Sequence, residues 1–122
     1  MLATVCFILF SLICGYFEAY FWASHPKVNQ RWSHIALTIL RAIVAIPVLY
    51  YEGWLNVLGL MCMFPLLHDG VYYQTRNYIN PNVYPKGWKD ESTTTGALIS
   101  LSFPVRCTFA AAGLLFIILG II

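Results

Sequence analysis

Five of the ionisable residues in or beside the apolar stretches of this 122-residue sequence form a candidate cluster that could carry out chemistry or hold helices together. They are Glu18, Arg41, His68, Asp69 and Arg106. A charged side chain in apolar surroundings is costly, so it is expected to have a partner or a function. Two acids and two arginines can form two ion pairs, and we predict the pairs Glu18–Arg41 and Asp69–Arg106. The sequence leaves open whether these pairs form a functional site or only join helices.

Histidine residues make a divalent metal ion a second hypothesis. Histidine nitrogens and carboxylates bind zinc and related ions in sets of three or four. The candidate ligands are Glu18, His34, His68 and Asp69. No pair of them has the spacing of an HExxH motif. Neighbouring side chains on a helix point about 100° apart, so His68 and Asp69 are predicted to diverge. The metal hypothesis therefore rests on residue types and not on spacing.

The residues that follow Asp69 could bind an anionic lipid headgroup. They are Tyr72, Tyr73, Arg76 and Asn77. Arginine makes bidentate contacts with phosphate, and tyrosine hydroxyls can donate to it. The same residue types are also typical of a helix that ends at a membrane interface, and the sequence leaves both interpretations open.

The composition indicates where these residues lie. Hydrophobic residues make up 60% of the chain and charged residues 10%, whereas an ordinary soluble domain carries about 25% charged residues. Such a chain cannot cover a normal water-exposed surface. We therefore predict one membrane domain over residues 1–122, with the lipid bilayer as its partner. The net charge of +2 gives no indication of nucleic-acid binding.

Four apolar stretches predict an all-α integral membrane protein, a bundle of four transmembrane helices with a short outer turn. The predicted bounds are about 2–23, 33–51, 54–78 and 96–121. The third apolar run, 54–67, would cover about 21 Å, which is short of a hydrocarbon core of about 30 Å. The third helix is therefore predicted to continue past His68.

Local signals predict the helix ends and irregularities. Glu52 and Gly53 are predicted to form the tight outer turn between the second and third helices. Ser33 and one residue of 92–95 are predicted to cap the second and fourth helices. Three prolines are predicted to lie inside helices and to kink them: Pro47, Pro65 and Pro104.

The positive charges predict the orientation in the membrane. Five basic residues lie outside the apolar stretches, between the first two helices or after the third: Lys27, Arg31, Arg76, Lys86 and Lys89. With four spans, both of these segments fall on one side, and the positive-inside rule makes that side cytoplasmic. Both termini are then outside, and the long loop between helices three and four is cytoplasmic. The membrane would be a bacterial inner membrane or an equivalent one.

Helical spacing brings the charged residues to a common region. Gly15 and Glu18 share one face of the first helix, and Thr38 and Arg41 share one face of the second. All the charged positions fall in the inner half of the predicted bundle, so their side chains can meet there. The outer half offers little more than a tight turn, so function is expected from the inner half.

Three functions are consistent with this arrangement. The first is binding or conduction of a small ion or proton, as an oligomer. The second is a membrane-embedded enzyme or binder that acts on anionic lipid headgroups, with or without a metal. The third is an accessory subunit of a larger membrane complex, whose ion pairs only hold its helices. The sequence has no nucleotide-binding, haem or serine-hydrolase motif, so it does not decide whether the protein is an enzyme.

Overall fold

The computed structural model describes residues 1–25, 30–92 and 100–122, and these residues form four helices. They are α1 (Leu2–Ser24), α2 (Gln30–Glu52), α3 (Trp54–Ile79) and α4 (Phe103–Ile121). Within the described residues, the one β-type pairing is an isolated bridge between Ser92 and Leu101. All four helices are long and apolar enough to span a membrane. The prediction of an all-α chain with four such helices is confirmed.

The turn between α2 and α3 is formed by one glycine. Gly53 has a φ of 89°, a conformation that side chains disfavour and glycine adopts freely. Its N–H donates to Val48 O at 3.1 Å, which closes the end of α2. The predicted Glu52–Gly53 turn is therefore confirmed. We call this end of the bundle the turn end, and the opposite end, where α3 leads into residues 80–101, the loop end.

The third helix continues past the apolar run, as predicted. α3 has 26 residues and is about 39 Å long, more than the hydrocarbon thickness of about 30 Å. His68 and Asp69 therefore lie on regular helix. Pro65 is inside α3 and Pro47 is inside α2, as predicted.

Two predicted helix starts are wrong. α2 begins at Gln30, so Ser33 lies within the helix and does not cap it. The hydropathy pattern marks only the apolar part of a helix, and the polar residues before it continue the same helix. α4 begins at Phe103, with Ser102 at its N-cap. Residues 100–102 are not helical, so the predicted start near residue 96 is incorrect.

The corrected start of α4 changes the roles of two residues. Ser92 is paired through its backbone with Leu101, with both N–H···O distances at 2.9 Å, so it caps no helix. The other predicted caps, residues 93–95, lie outside the described residues. Pro104 stands in the first turn of α4, where its missing N–H has no helical partner to lose. The predicted kink at Pro104 is therefore wrong.

The helices are packed unequally. α3 packs extensively against α1 and α4, while α2 makes few contacts with α1 and α3. In the most apolar stretch, 33% of the residues are buried in α1 and α3, but only 6% in α2. Each helix contributes one residue to a central apolar layer: Phe7, Val48, Leu60 and Ile117. α2 is thus the peripheral helix of the bundle.

Glycines set the closest helix contacts. A Cβ on Gly15 would lie 2.5 Å from His68 O, and a Cβ on Gly59 would lie 2.6 Å from Gly113 O. A side chain at either position would push the backbones apart, so glycine permits α1 and α4 to approach α3 closely. The contact at Gly15 brings α1 against the part of α3 that carries His68.

Candidate functional site

A cluster of polar side chains from three helices lies towards the loop end. Glu18 of α1 forms an ion pair with Arg41 of α2, and this predicted pair is confirmed. Glu18 is 6% exposed, and His68 and Asp69 of α3 are each 5% exposed. The carboxylates are therefore removed from solvent and depend on their neighbours for hydrogen bonds.

His68 connects the two carboxylates. Its Nε2 lies 3.0 Å from Glu18 Oε1, and its Nδ1 lies 3.0 Å from Asp69 Oδ1. Arg41 Nη2 is also 3.1 Å from Nε2. The imidazole stacks on Phe64 with ring centroids 4.5 Å apart, which fixes the plane of the ring. The side chains of His68 and Asp69 converge, contrary to the prediction, because Nδ1 can reach the carboxylate of the next residue.

The second oxygen of Asp69 is bound by a residue from the α3–α4 segment. Ser92 Oγ donates to Asp69 Oδ2 at 2.5 Å, and Ser92 is 2% exposed. This contact was not predicted from the sequence, because Ser92 was expected to be a candidate cap of α4. The sequence shows only that a glycine, Gly70, follows Asp69. In the structure, the Trp88 ring packs where a Gly70 side chain would stand. This packing brings the segment over the end of the cluster.

Arg106 anchors the same segment and does not pair with Asp69. Its side chain is fully buried, and Nη2 donates to Trp88 O at 2.5 Å and Asp90 O at 2.6 Å. Nη1 lies 3.4 Å from Pro65 O. The predicted Asp69–Arg106 ion pair is therefore wrong, because the chain folds back and offers carbonyl oxygens to the guanidinium. Arg106 holds residues 88–90 in place, and Ser92 follows them.

These contacts form one continuous hydrogen-bonded chain, which we call the relay: Ser92, Asp69, His68, Glu18 and Arg41. The serine binds the aspartate and not the histidine, so the order differs from that of a serine nucleophile with a histidine base. Carboxylates only accept hydrogen bonds, whereas a histidine nitrogen donates or accepts according to its protonation. The relay is therefore suited to holding and moving a proton.

The residues proposed for headgroup binding lie beyond the relay. Arg76 Nη1 donates to Tyr72 Oη at 2.7 Å, and Asn77 Nδ2 donates to Tyr84 O at 3.0 Å. The Arg76 guanidinium lies 3.9 Å from the centroid of the Tyr84 ring, and Tyr73 packs on Tyr72. These contacts fasten the start of the α3–α4 segment to α3. Headgroup binding there stays a prediction.

The metal hypothesis gains no support from the geometry. Glu18, His68 and Asp69 meet, but His34 stacks on Trp22 with ring centroids 5.7 Å apart. In the part of the chain that the structure describes, no group of three or more histidine, cysteine, aspartate or glutamate residues is arranged to hold a metal ion.

A second polar group lies at the turn end, and sequence analysis missed it. Glu52 accepts hydrogen bonds from the backbone N–H groups of Ala3 at 2.7 Å and Thr4 at 3.0 Å. It also binds the Thr4 hydroxyl and the amino group of Met1. Asn56 Nδ2 donates to Glu52 O at 2.6 Å. The apolar layer of Phe7, Val48, Leu60 and Ile117 lies between this group and the relay.

Comparison with protein-family models, curated proteins and solved structures finds no significant match. Function is therefore inferred from the geometry of the relay and its surroundings.

Proposed function

We propose that the protein is a membrane protein that binds and releases a proton at the relay. The observation that supports this proposal is the pair of neighbours at His68 Nε2. Glu18 Oε1, an acceptor, lies 3.0 Å away, and Arg41 Nη2, a donor, lies 3.1 Å away. With a proton, Nε2 donates to Glu18; without it, Nε2 accepts from Arg41. Both protonation states therefore keep a hydrogen bond at this nitrogen.

The rest of the relay offers a route for the proton towards the loop end. Nδ1 contacts Asp69, and Asp69 in turn contacts Ser92 of the α3–α4 segment. Proton exchange between hydrogen-bonded carboxylates, imidazoles and hydroxyls needs only small movements of the groups. Arg41 at the other end forms the ion pair with Glu18.

The proposed orientation places the loop end in the cytoplasm. Arg76, Lys86 and Lys89 lie at or beyond the end of α3, and positive charges favour the cytoplasmic side. Both termini are then outside, in a bacterial inner membrane or an equivalent one. A proton released to the cytoplasm would leave from His68 Nδ1 through Asp69 and Ser92. The remaining imidazole proton would then shift from Nε2 to Nδ1, which leaves Nε2 free to accept from Arg41.

Conduction across the whole membrane is proposed only for an oligomer. Within one chain, the layer of Phe7, Val48, Leu60 and Ile117 lies between the relay and the polar group at the turn end. A second copy would have to provide the remaining path. The other two functions, a binder or enzyme for anionic headgroups and an accessory subunit, stay as alternative predictions.

Nuclear magnetic resonance of the ¹⁵N-labelled imidazole tests the proton site directly. With the full chain in lipid nanodiscs, we expect His68 Nε2 to gain and lose a proton as the pH is varied over the range in which the protein stays folded. Glu18→Gln removes the anionic acceptor of Nε2 and should change the pH dependence of the His68 ¹⁵N resonances.

Glu52→Gln is the matched control, because it changes the same residue type in the other polar group and leaves His68 untouched. A His68 Nε2 that keeps one protonation state across the titration would overturn the proposal. An equal response to both variants would also count against it. Proteoliposome proton flux then separates binding from conduction, since an oligomeric conductor shows flux that Glu18→Gln removes.

A further inference from the structure

An apolar cleft runs beside the relay, between α2 and α3. It has a volume of about 520 Å³ and opens sideways on the surface of the bundle. This volume lies in the range typical of small-molecule sites. Its walls are formed mainly by Ala42, Ala45, Leu49, Val57, Leu60 and Phe64. The loose packing of α2 creates this space, which would face hydrocarbon in a membrane.

Among the residues that the structure describes, Arg41 is the one charged residue that lines the cleft. Both of its hydrogen bonds to the relay use Nη2, and Nε has no hydrogen-bond partner in the described chain. Its side chain is 19% exposed. A guanidinium offers five N–H donors in a planar fork that matches a carboxylate. The cleft thus combines apolar walls with an incompletely used cation at one end.

We propose that this cleft binds a single-chain fatty acid, with the carboxylate on Arg41 and the hydrocarbon chain between α2 and α3. Phe64 would lie beside both parts of the ligand, since its ring contacts the Arg41 guanidinium at 4.8 Å and lines the cleft. The site adds a ligand to the proposed proton relay and is not needed for it.

Depth favours a fatty acid over a membrane phospholipid. Arg41 lies seven residues past His34, where the apolar span of α2 begins, which is about 10 Å along the helix. The phosphate of a phospholipid stays in the polar surface region of the bilayer. A fatty acid has no second chain or large headgroup, so its carboxyl group can reach an arginine at that depth.

Charge balance also favours an acidic ligand, and this step rests on the proposed proton site. When His68 is protonated, the buried group holds three cations, His68, Arg41 and Arg106, against two anions, Glu18 and Asp69. Arg106 is bound by carbonyl oxygens and not by an acid. One carboxylate on Arg41 would neutralise the remaining positive charge.

Binding of tritiated palmitate to the full chain in phosphatidylcholine nanodiscs tests the proposal. We expect saturable binding that Ala42→Phe weakens by about tenfold, because the new ring fills the cleft. Ala42 is itself exposed, so the added ring does not disturb the core. Ile43→Phe is the matched control. Ile43 is 55% exposed and outside the cleft, and its variant should bind within about twofold of the original chain.

Competition experiments test the carboxylate and the identity of the lipid. Hexadecanol has the same chain without the acid, and we expect it to compete at least tenfold less well than palmitate. Absence of saturable binding, equal binding by the Ala42 and Ile43 variants, or equal competition by hexadecanol would overturn the proposal. Displacement of palmitate by phosphatidylglycerol at equal concentration would assign the cleft to a phospholipid instead. If palmitate fails to bind while His68 still titrates, the proton site stands and the fatty-acid site does not.

Discussion

Two glutamates, each with a side chain 8% exposed, occupy the two ends of the bundle, and their partners differ in kind. At the turn end, Glu52 accepts hydrogen bonds from backbone N–H groups, a hydroxyl and an amino group. Near the loop end, Glu18 contacts a histidine and an arginine. Backbone amides and a threonine hydroxyl keep their protons over the ordinary pH range, so these contacts fix the start of α1 against the end of α2. Of the Glu52 partners only the amino group of Met1 can titrate, and Met1 is exposed. Glu18 lies beside a group that can change its charge.

This difference shows that a buried acid is not by itself a sign of function. Both carboxylates are satisfied, and both join α1 to α2. Only the partners distinguish a structural cap from a site where a proton can be exchanged. The following variants test whether the two ends are as independent as this comparison implies.

The largest effect is expected from Arg106→Met. The variant leaves Trp88 O and Asp90 O without their buried donor, and we expect the free energy of unfolding to fall by about 3 kcal/mol. Denaturant unfolding in detergent micelles measures this loss. Hydrogen exchange should rise in residues 88–92, while the amides of Ala3 and Thr4, which Glu52 binds, stay protected.

The control for this variant is Cys107→Ala, one position further along α4 at a partly exposed residue, which should change the stability far less. Equal loss of amide protection at both ends of the bundle would show that the two polar groups do not behave separately.

A smaller effect is expected from Gly15→Ala. The new Cβ would lie 2.5 Å from His68 O, a backbone atom that cannot turn away, so α1 must move from α3. We expect a loss of about 2 kcal/mol together with a weaker Glu18–His68 contact, seen as a shifted His68 ¹⁵N resonance.

Gly120→Ala provides the matched test at the turn end. Its Cβ would meet Asn56 Oδ1 at 3.0 Å, so the Asn56 side chain would have to move by only a few tenths of an ångström. The loss there should be no more than about 0.5 kcal/mol, with the His68 resonance unchanged. A reversed order of the two effects would contradict the proposed packing at Gly15.

The smallest effect is expected from Ser92→Ala. Removing the hydroxyl takes one hydrogen bond from Asp69, and the free energy of unfolding should fall by about 1 kcal/mol. Ser102→Ala is the control, since the Ser102 side chain makes no capping hydrogen bond. Equal stabilities for the two variants would mean that Ser92 does not support the relay.

The sequence predicted well what depends on regular helices. The four apolar helices, the Gly53 turn and the Glu18–Arg41 pair follow from hydropathy and from the spacing of residues on a helix. Residues on rigid helices at similar depth have few alternative partners, so Glu18 and Arg41 could be matched before the structure was known.

The sequence failed where the α3–α4 segment decides the contacts. Arg106 was paired with Asp69 because both are charged, but the folded segment presents Trp88 O and Asp90 O to the arginine and Ser92 to the aspartate. In an irregular segment, the spacing of residues along the sequence does not indicate which of them lie close together, so such contacts cannot be predicted. The same reason explains why the start of α4 was predicted too early and why Pro104 was predicted to kink the helix.

The turn at Gly53 allows α2 to tilt about the turn end of the bundle. At the turn end, the Glu52 side chain binds the start of α1 and holds this end of α2 in place. The rest of α2 is less buried than the other three helices. Arg41 is eleven residues from Glu52, about 16 Å along the helix, so a swing of about 10° would carry it about 3 Å. That displacement matches the 3.1 Å between Arg41 and His68, so a slight tilt of α2 is enough to disconnect the arginine from the relay.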